Sequence, residues 1–479
     1  MREFHTVDQV RAAEAPLLAA LPEGTLMRRA AHGLAGVVAA ELRSRTGGVA
    51  GRSVTLLVGS GDNGGDALWA GAILRKRGVA VTAVLLDPDR AHAAGLAALR
   101  STGGRVADEV GDPDLVLDGI VGISGRGPLR PAAAALVASV RAPIVAVDLP
   151  SGVDPNTGAV TGPVVTAAVT VAFGALKPVH VLAGSRCGRV ELINIGLDLP
   201  AANLAALTPA EVGERWPLPG AVDDKYSQGV VGVVAGSAGY PGAAVLCCGG
   251  AVAATSGMVR YVGPVASQVL AHWPEVVAAD GFGSAGRVQA WVVGPGIGTD
   301  EDGRALVQDV LATDLPVLVD ADALTVLAAD PALVRGRSAP TLLTPHAGEF
   351  ERLTGVDPAD DRVAHTRDLA ARWGVTVLLK GRATVIAGPD GVVLVNDAAG
   401  SAAATAGSGD VLSGVIGALL STGLGVTTAA AMGARAHSLA AALASGEGSE
   451  VAAPISAVAL LSQVRAAVRV LRAQTVLGM

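Results

Sequence analysis

Aromatic residues are scarce in this chain. Phe, Trp and Tyr make up 3% of its 479 residues, so ring stacking cannot organise its cores, which must come from Val, Leu, Ile and Ala. Charge is also sparse, at 16%, with a formal net charge of −7. No basic field is available to neutralise a phosphate backbone, which excludes a general affinity for nucleic acid. Cysteine is confined to Cys187, Cys247 and Cys248. No pair of these has metal-ligand spacing and no disulfide framework is expected, so a reducing, cytoplasmic setting fits. The opening Met1-Arg-Glu-Phe-His5 leads into a charged amphipathic segment that does not read as a signal peptide. Two uncharged stretches, 241–259 and 411–434, reach membrane-spanning length. Both are diluted with Gly, Ala, Ser and Thr, which insert weakly. They are expected to be buried helices, with no membrane partner.

What is abundant is glycine, with 63 residues, and an apolar content of 51%. A chain of this length exceeds one ordinary domain. In its first half, short apolar runs at 53–58, 79–86, 114–118, 143–147 and 168–172 alternate with segments of helical period such as 65–77 and 91–101. That alternation predicts a parallel sheet with right-handed crossovers. The segment 6–45 is helical in period throughout. Regularity breaks near 198–224, where Pro200, Pro209, Pro217 and Pro219 cluster, marking a boundary. A second alternation follows at 230–235, 290–293, 316–319, 341–343 and 375–379. The runs 383–387 and 391–395 flank Gly388-Pro-Asp-Gly391, a hairpin signal. Helices are expected at about 408–421, 427–444 and 455–473.

Strand 53–58 runs straight into Gly59-Ser-Gly-Asp-Asn-Gly-Gly-Asp66 ahead of a helix. Ligands in open parallel sheets bind at such strand ends. The glycine spacing is not a dinucleotide fingerprint, and Asp62 and Asp66 would repel a bare anion. Carboxylates mixed with the Asn63 amide suit a cation or a ribose hydroxyl, although a tight turn with an Asp N-cap would read the same. Two further strand ends carry Asp118, followed by the glycine-rich loop to Pro128, and Asp148-Leu-Pro-Ser151-Gly152. Three consecutive ends thus deliver Asn63, Asp118, Asp148 and Ser151 to one edge of the sheet.

These motifs resemble the NAD(P)H-hydrate epimerase family, the amino-terminal YjeF-type domain, over roughly residues 1–205. The resemblance implies a potassium ion held by Asn63, Asp118 and Ser151. It implies that the hydrate contacts Asp62, Asn63, Gly64, Gly65 and Asp66, the loop Gly122, Ile123, Ser124, Gly125, Arg126, Gly127 and Pro128, and Asp148. Asp148 is then expected to move protons during inversion at C6 of the hydrated ring. Two positions depart from the family's Asn-Asn-Gly-Gly-Asp-Gly: Asp62 and Ala67. Ala67 is expected to narrow the approach of the ligand.

In the second half, Ala406-Gly-Ser-Gly-Asp410 precedes a helix. The amides of Gly407, Ser408 and Gly409 are expected to face a phosphate, with Asp410 beside the transferring group as a base. An N-cap loop would look similar. Lys225-x-x-x-Gly229, Pro241-Gly-Ala-Ala244, Gly294-Pro-Gly-Ile-Gly298, Asp320-Ala-Asp-Ala-Leu324, Thr344-Pro-His-Ala-Gly-Glu-Phe350 and Lys380-Gly-Arg-Ala-Thr384 precede it in order. Together they resemble the ADP/ATP-dependent NAD(P)H-hydrate dehydratase branch of the ribokinase-like superfamily. By that resemblance Ala243, Gly298, His346 and Asp410 contact the hydrate, while Lys380, Gly381, Arg382, Ala383, Thr384 and Gly409 contact the adenine nucleotide.

The resemblances imply an α/β chain of two domains: a Rossmann-like three-layer α/β/α sandwich, residues 1–205, and a ribokinase-like α/β/α domain, residues 206–479. They imply NADHX and NADPHX as substrates, ADP as phosphoryl donor, K+ in the first site and Mg2+ with the nucleotide. Assembly into a homo-oligomer through Ala-rich helices is expected. A small-alcohol kinase with an accessory first domain, or a non-catalytic first domain serving as a binding module, remain as alternatives.

Overall fold

The computed structural model describes residues 1–255, 257–449 and 451–477. Its contacts divide the chain into two units, Glu3–Asn203 and Leu204–Met479 together with Met1–Arg2.

The first unit is built on strands β1 (Ser53–Val58), β2 (Ala80–Leu85), β3 (Arg105–Ala107), β4 (Leu115–Gly119), β5 (Ile144–Val147), β6 (Val169–Phe173) and β7 (Arg189–Ile193). They lie in the order β3-β2-β1-β4-β5-β6-β7, and every pairing is parallel. This is a Rossmann-like order, and it reverses direction between β1 and β4, where ligands bind in such sheets. Alternate residues of β1 serve opposite faces. Val54, Leu56 and Val58 join the core under helices Thr25–Thr46 and Asp62–Lys76. Leu57 joins the opposite core, with Ala133 of helix Pro131–Ser139. The result is three layers.

The long helical segment is two helices, Val7–Ala20 and Thr25–Thr46. Pro22 and the left-handed Gly24 (φ 72°) interrupt what the periodicity reads as continuous. Helix Asp62–Lys76 also starts earlier than its apolar period does. The Asn-Gly-Gly-Asp segment is therefore its first turns rather than a loop. Ala67 is fully buried, and a Cβ on Gly119 would lie 2.7 Å from its methyl group. It faces the sheet, so the expectation that it narrows a ligand's approach is corrected.

The second unit contains β8 (Leu204–Ala206), β9 (Val230–Val234), β10 (Met258–Val262), β11 (Val277–Ala279), β12 (Ala290–Val293), β13 (Val317–Val319), β14 (Thr341–Leu343), β15 (Thr376–Leu379), β16 (Ala383–Ala387) and β17 (Val393–Asp397). Their order is β8-β17-β16-β15-β14-β13-β12-β9-β10-β11. Pairing is parallel from β11 to β15. The hairpin β16–β17 is antiparallel and pairs Ala387 with Val393. Helices Glu301–Leu311 and Arg362–Trp373 pack on β12 and β15.

The two uncharged stretches lie in the core of this unit. Helix Pro241–Ala254 crosses helix Ser408–Ser421 at backbone contact: a Cβ on Gly414 would sit 2.0 Å from the Cys247 carbonyl oxygen. Only glycine permits that approach. The stretch 411–434 is two helices, broken at Thr422–Gly425. Among the described residues, no helix is long and apolar enough to cross a membrane; Ser256, within 241–259, lies outside them.

Candidate functional sites

The first site forms where β1, β4 and β5 end. Asp118, fully buried at the end of β4, accepts hydrogen bonds from the Ser151 amide (2.8 Å) and hydroxyl (2.7 Å) and from the Ile120 amide (3.3 Å). Burial pushes its carboxyl up to about 6, against the hydrogen bonds from Ser151. Asn63, also buried, donates its amide to the Val147 carbonyl at 2.6 Å. Its Oδ1 faces Gly122, where an added Cβ would lie 2.4 Å away. The structure thus brings Asn63, Asp118, Ser151 and Gly122 together.

Asp148 follows β5 in a left-handed backbone conformation, φ 66°. Aspartate tolerates this region better than most side chains. Its Oδ1 accepts from the Lys177 ammonium at 2.7 Å and the Phe173 amide at 3.1 Å. His180 Nδ1 accepts from the Lys177 amide (2.9 Å), so Nε2 carries the proton donated to the Asp148 carbonyl (2.8 Å). Lys177 is 1% exposed and also bonds the Phe173 and Ala175 carbonyls. Sequence reasoning passed over Lys177 and His180. A signal was present, because Lys177 is the one Asp, Glu, Lys or Arg between Asp154 and Arg186.

Asp62 is exposed on the first turn of its helix, whereas Gly64, Gly65 and Asp66 are buried. Asp66 and Asp62 line a cavity of about 720 Å³ with Glu14, Trp69, His92 and Phe173. Asp66 Oδ1 is buried without a hydrogen-bond partner. Burial first, then the charges of Asp148, Asp62 and Glu14, hold the Asp66 carboxyl well above the usual carboxylate range. Burial and Asp148 also raise Glu14. In the loop after β4, Ser124, Arg126, Gly127 and Pro128 are exposed and Gly125 is half-buried. Ile123 packs beside the core around Leu149 and Val153.

The second site gathers at the ends of β12, β13, β14 and β15 and the start of helix Ser408–Ser421. Gly407, at φ 82°, opens that helix, and no side chain caps it. Of the three expected amides, that of Ser408 is taken by the Thr405 carbonyl (3.2 Å), and its hydroxyl by Ala403 (2.7 Å). His437 Nε2 lies 2.9 Å from the Ser408 carbonyl; burial pulls this imidazole down to about 4. The loop is therefore held by its own fold at Ser408.

Lys380 is anchored. Its ammonium lies 2.8 Å from Asp320 Oδ1 and 3.6 Å from Glu349 Oε2. Burial pulls its pKa down, but Asp320 and Glu349 outweigh that and raise it. Ser413 donates to Asp320 Oδ2 at 2.7 Å. A Cβ on Gly409 would lie 3.6 Å from the Lys380 ammonium. Burial first, then Asp320, pushes the Asp410 carboxyl up to about 7, against the pull of Lys380. Asp320 and Ser413 are central here, although sequence reasoning gave them no role.

His346, largely exposed, caps helix Ala347–Thr354 in a reciprocal box with Glu349, which ties it to Lys380. Gly298 donates its amide to Asp322 at 2.9 Å, and Ala243 is half-buried below Gly296. Arg382 pairs with Asp397, and the Thr384 hydroxyl donates to the Gly381 carbonyl beside buried Ala383. Lys225 lies on an exposed loop with its ammonium 5.3 Å from the Tyr226 ring centre.

Comparison with known proteins covers both halves. Residues 23–179 match the family described as YjeF-related protein N-terminus, and residues 231–460 match NAD(P)H-hydrate dehydratase. A bifunctional NAD(P)H-hydrate repair enzyme from Mycobacterium tuberculosis is 63% identical over 435 residues, covering 90% of this chain and 92% of that one. Its counterpart from Mycobacterium leprae is 59% identical over 475 residues, covering 98% and 100%. A ribokinase-like superfamily protein from Enterococcus faecalis superposes with a TM-score of 0.50 at 20% identity, covering 57% of this chain and 98% of its own, a likeness of fold alone.

Proposed function

The chain belongs to the family of bifunctional NAD(P)H-hydrate repair enzymes, and from that premise we propose that its two sites divide the repair between them. The first equilibrates the R and S hydrates of NADH and NADPH. The second removes water from the S hydrate at the expense of ADP, giving AMP and phosphate. High identity through both halves favours this over a small-alcohol kinase or a non-catalytic first domain.

What supports the dehydratase reading most is Asp410, a carboxyl pushed up to about 7 at an uncapped helix start beside anchored Lys380. Hydroxide leaves poorly, so the C6 hydroxyl is first phosphorylated. Asp410 takes the hydroxyl proton as the oxygen attacks the terminal phosphorus of ADP and AMP leaves. Phosphate then departs as the ring nitrogen's lone pair pushes in, and loss of a C5 proton restores the C5=C6 double bond. Lys380 steadies the charge on the phosphoryl oxygens. Lys380, Gly381, Arg382, Ala383, Thr384 and Gly409 face the nucleotide, and Ala243, Gly298 and His346 face the hydrate. Mg2+ bound with the nucleotide would neutralise charge on the transferring phosphate. Among the described residues, no group of three or more His, Cys, Asp or Glu is arranged to hold a metal.

In the first site, Asp148 is the base that accepts the C6 hydroxyl proton. Lys177 and the Phe173 amide hold its Oδ1, which leaves Oδ2 for the substrate. The donor set of Asn63 Oδ1, Asp118 and Ser151 fits K+. It is all oxygen, and fully buried Asp118 draws its hydrogen bonds from neutral groups. A K+ held there by Asn63, Asp118 and Ser151 would supply positive charge that balances Asp118.

The test follows absorbance at 340 nm with isolated R- or S-NADHX, and ADP or ATP in parallel. Asp148→Ala is expected to stop consumption of the R form and leave S-form repair intact. Unchanged R-form consumption counts against the first site, and no recovery of NADH from the S form counts against the second.

A further inference from the structure

We infer that Asp66 is the acid of the epimerisation, donating a proton to the ring nitrogen while Asp148 accepts one from the C6 hydroxyl, so that the ring opens and recloses between them. This rests on the reading of the first site given above and adds a residue and a reaction path to it.

The C6 carbon of the hydrate bears both a hydroxyl and the ring nitrogen. Inverting it requires one of its bonds to break. As Asp148 removes the hydroxyl proton, the C6–O bond becomes a carbonyl and the C6–N1 bond breaks. Its electron pair moves onto N1, which takes the proton from Asp66. The open aldehyde turns about C5–C6. N1 then attacks the other face, returning its proton to Asp66 while Asp148 reprotonates the oxygen. No electrons are gained or lost, and both carboxyls end as they began.

Three observations place Asp66 in this role. Its side chain is buried at 7% exposure and lines the cavity. Its Oδ1 is unpartnered, a costly arrangement unless a ligand completes it. The contrast with Asp148 is the third. Asp148 holds a lysine at 2.7 Å, whereas Asp66 is surrounded by negative charge. The groups that face it are Glu14 on helix Val7–Ala20, Asp62 on its own helix, and Asp148. Lys177 and Arg11 act on neighbouring Glu14, while His92 and Arg28 line the same cavity. Burial with those charges favours the protonated form of Asp66, the form an acid needs, whereas Asp148 is paired with its lysine.

The experiment uses the full chain and isolated R-NADHX with ADP, with S-NADHX in parallel and the uncatalysed rate subtracted. Asp66→Asn mimics the neutral acid in shape but has no proton to give. It is expected to lower kcat for the R form by ~100-fold or more, with KM little changed and S-form repair intact. Asp66→Glu is expected to restore part of the rate. The wild-type rate for the R form should fall at alkaline pH, and that limb should vanish in Asp66→Asn. Thermal unfolding checks that the variants fold, with Asp66→Ser as a second substitution. A normal kcat in Asp66→Asn beside an inactive Asp148→Ala overturns the inference and leaves the site's function standing. A change in KM alone, or a wild-type profile without an alkaline limb, overturns it too. Full activity of Asp148→Ala removes the site's function, and the inference with it.

Discussion

Asp410 and Asp148 show how the same side chain is set to different tasks by what lies beside it. Asp148 is held by Lys177, and both side chains are buried. Asp410 shares its surroundings with Asp320, Asp322 and Lys380, and its carboxyl sits at about 7. A base must be ionised to act, so the fraction of working enzyme rises as pH climbs through that value. We expect kcat for S-form dehydration to rise about tenfold per pH unit below 7 and to level off above it. The negative charge of a bound nucleotide pushes the midpoint upward, and Mg2+ with it pulls the other way. A profile flat from about pH 5.5 to 8 would show that Asp410 is not the base. Stability moves the opposite way. The folded state holds this proton more tightly than the unfolded chain does. The associated stabilisation is full below the usual Asp range and is lost as pH rises through about 7.

At the scale of elements, each site is a set of strand ends carrying short loops, and the loops that matter are those where backbone and side chain nearly touch. Gly122 is one. A methyl group there would press on Asn63 Oδ1 from 2.4 Å. That oxygen lies in the proposed K+ set, so Gly122→Ala should weaken K+ rather than the fold. The expected result is a tenfold or greater rise in the K+ concentration for half-maximal R-form consumption, with S-form repair unchanged. A normal K+ dependence would separate Asn63 from the ion. Much at this scale was readable beforehand. The strands preceding Asp118, Asp148, Gly294 and Asp320 are unbroken apolar runs, and those preceding Gly59 and Lys380 are interrupted only by Ser53, Thr55 and Thr376, as expected of strands buried on both faces. Two other strands were not readable. β7, at a sheet edge, is half exposed and β8 is three residues long, so neither carries a period long enough to recognise. Lys177 escaped because its partner, Asp148, is 29 positions away, and a fold must exist before the pair can. Asp320 was visible as a strand end, but its bonds to Lys380 and Ser413 span 60 and 93 positions.

In the molecule as a whole, each site draws its parts from one unit. Asn63, Asp66, Asp118, Asp148, Ser151 and Lys177 all fall within Glu3–Asn203, and Asp320, His346, Lys380, Asp410 and Ser413 all fall within Leu204–Met479. Neither site borrows a side chain from the other unit among these residues, so the two reactions should be separable within one chain. Asp410→Asn makes the sharpest test. It removes a base but keeps the shape of a side chain in the first turn of a helix, and burial favours the neutral form there. Folding should therefore be preserved, with a melting temperature at or above that of the wild type near pH 8. With ADP present, NADH recovery from either epimer should drop by ~100-fold or more. Yet R-NADHX given to this variant should still turn into an equilibrium mixture of R and S, resolved by chromatography, at the wild-type rate. Because the S form no longer drains away, the mixture should accumulate rather than pass unseen. If epimerisation fails along with dehydration, the sites depend on each other, and the assignment of one reaction to each unit must be abandoned.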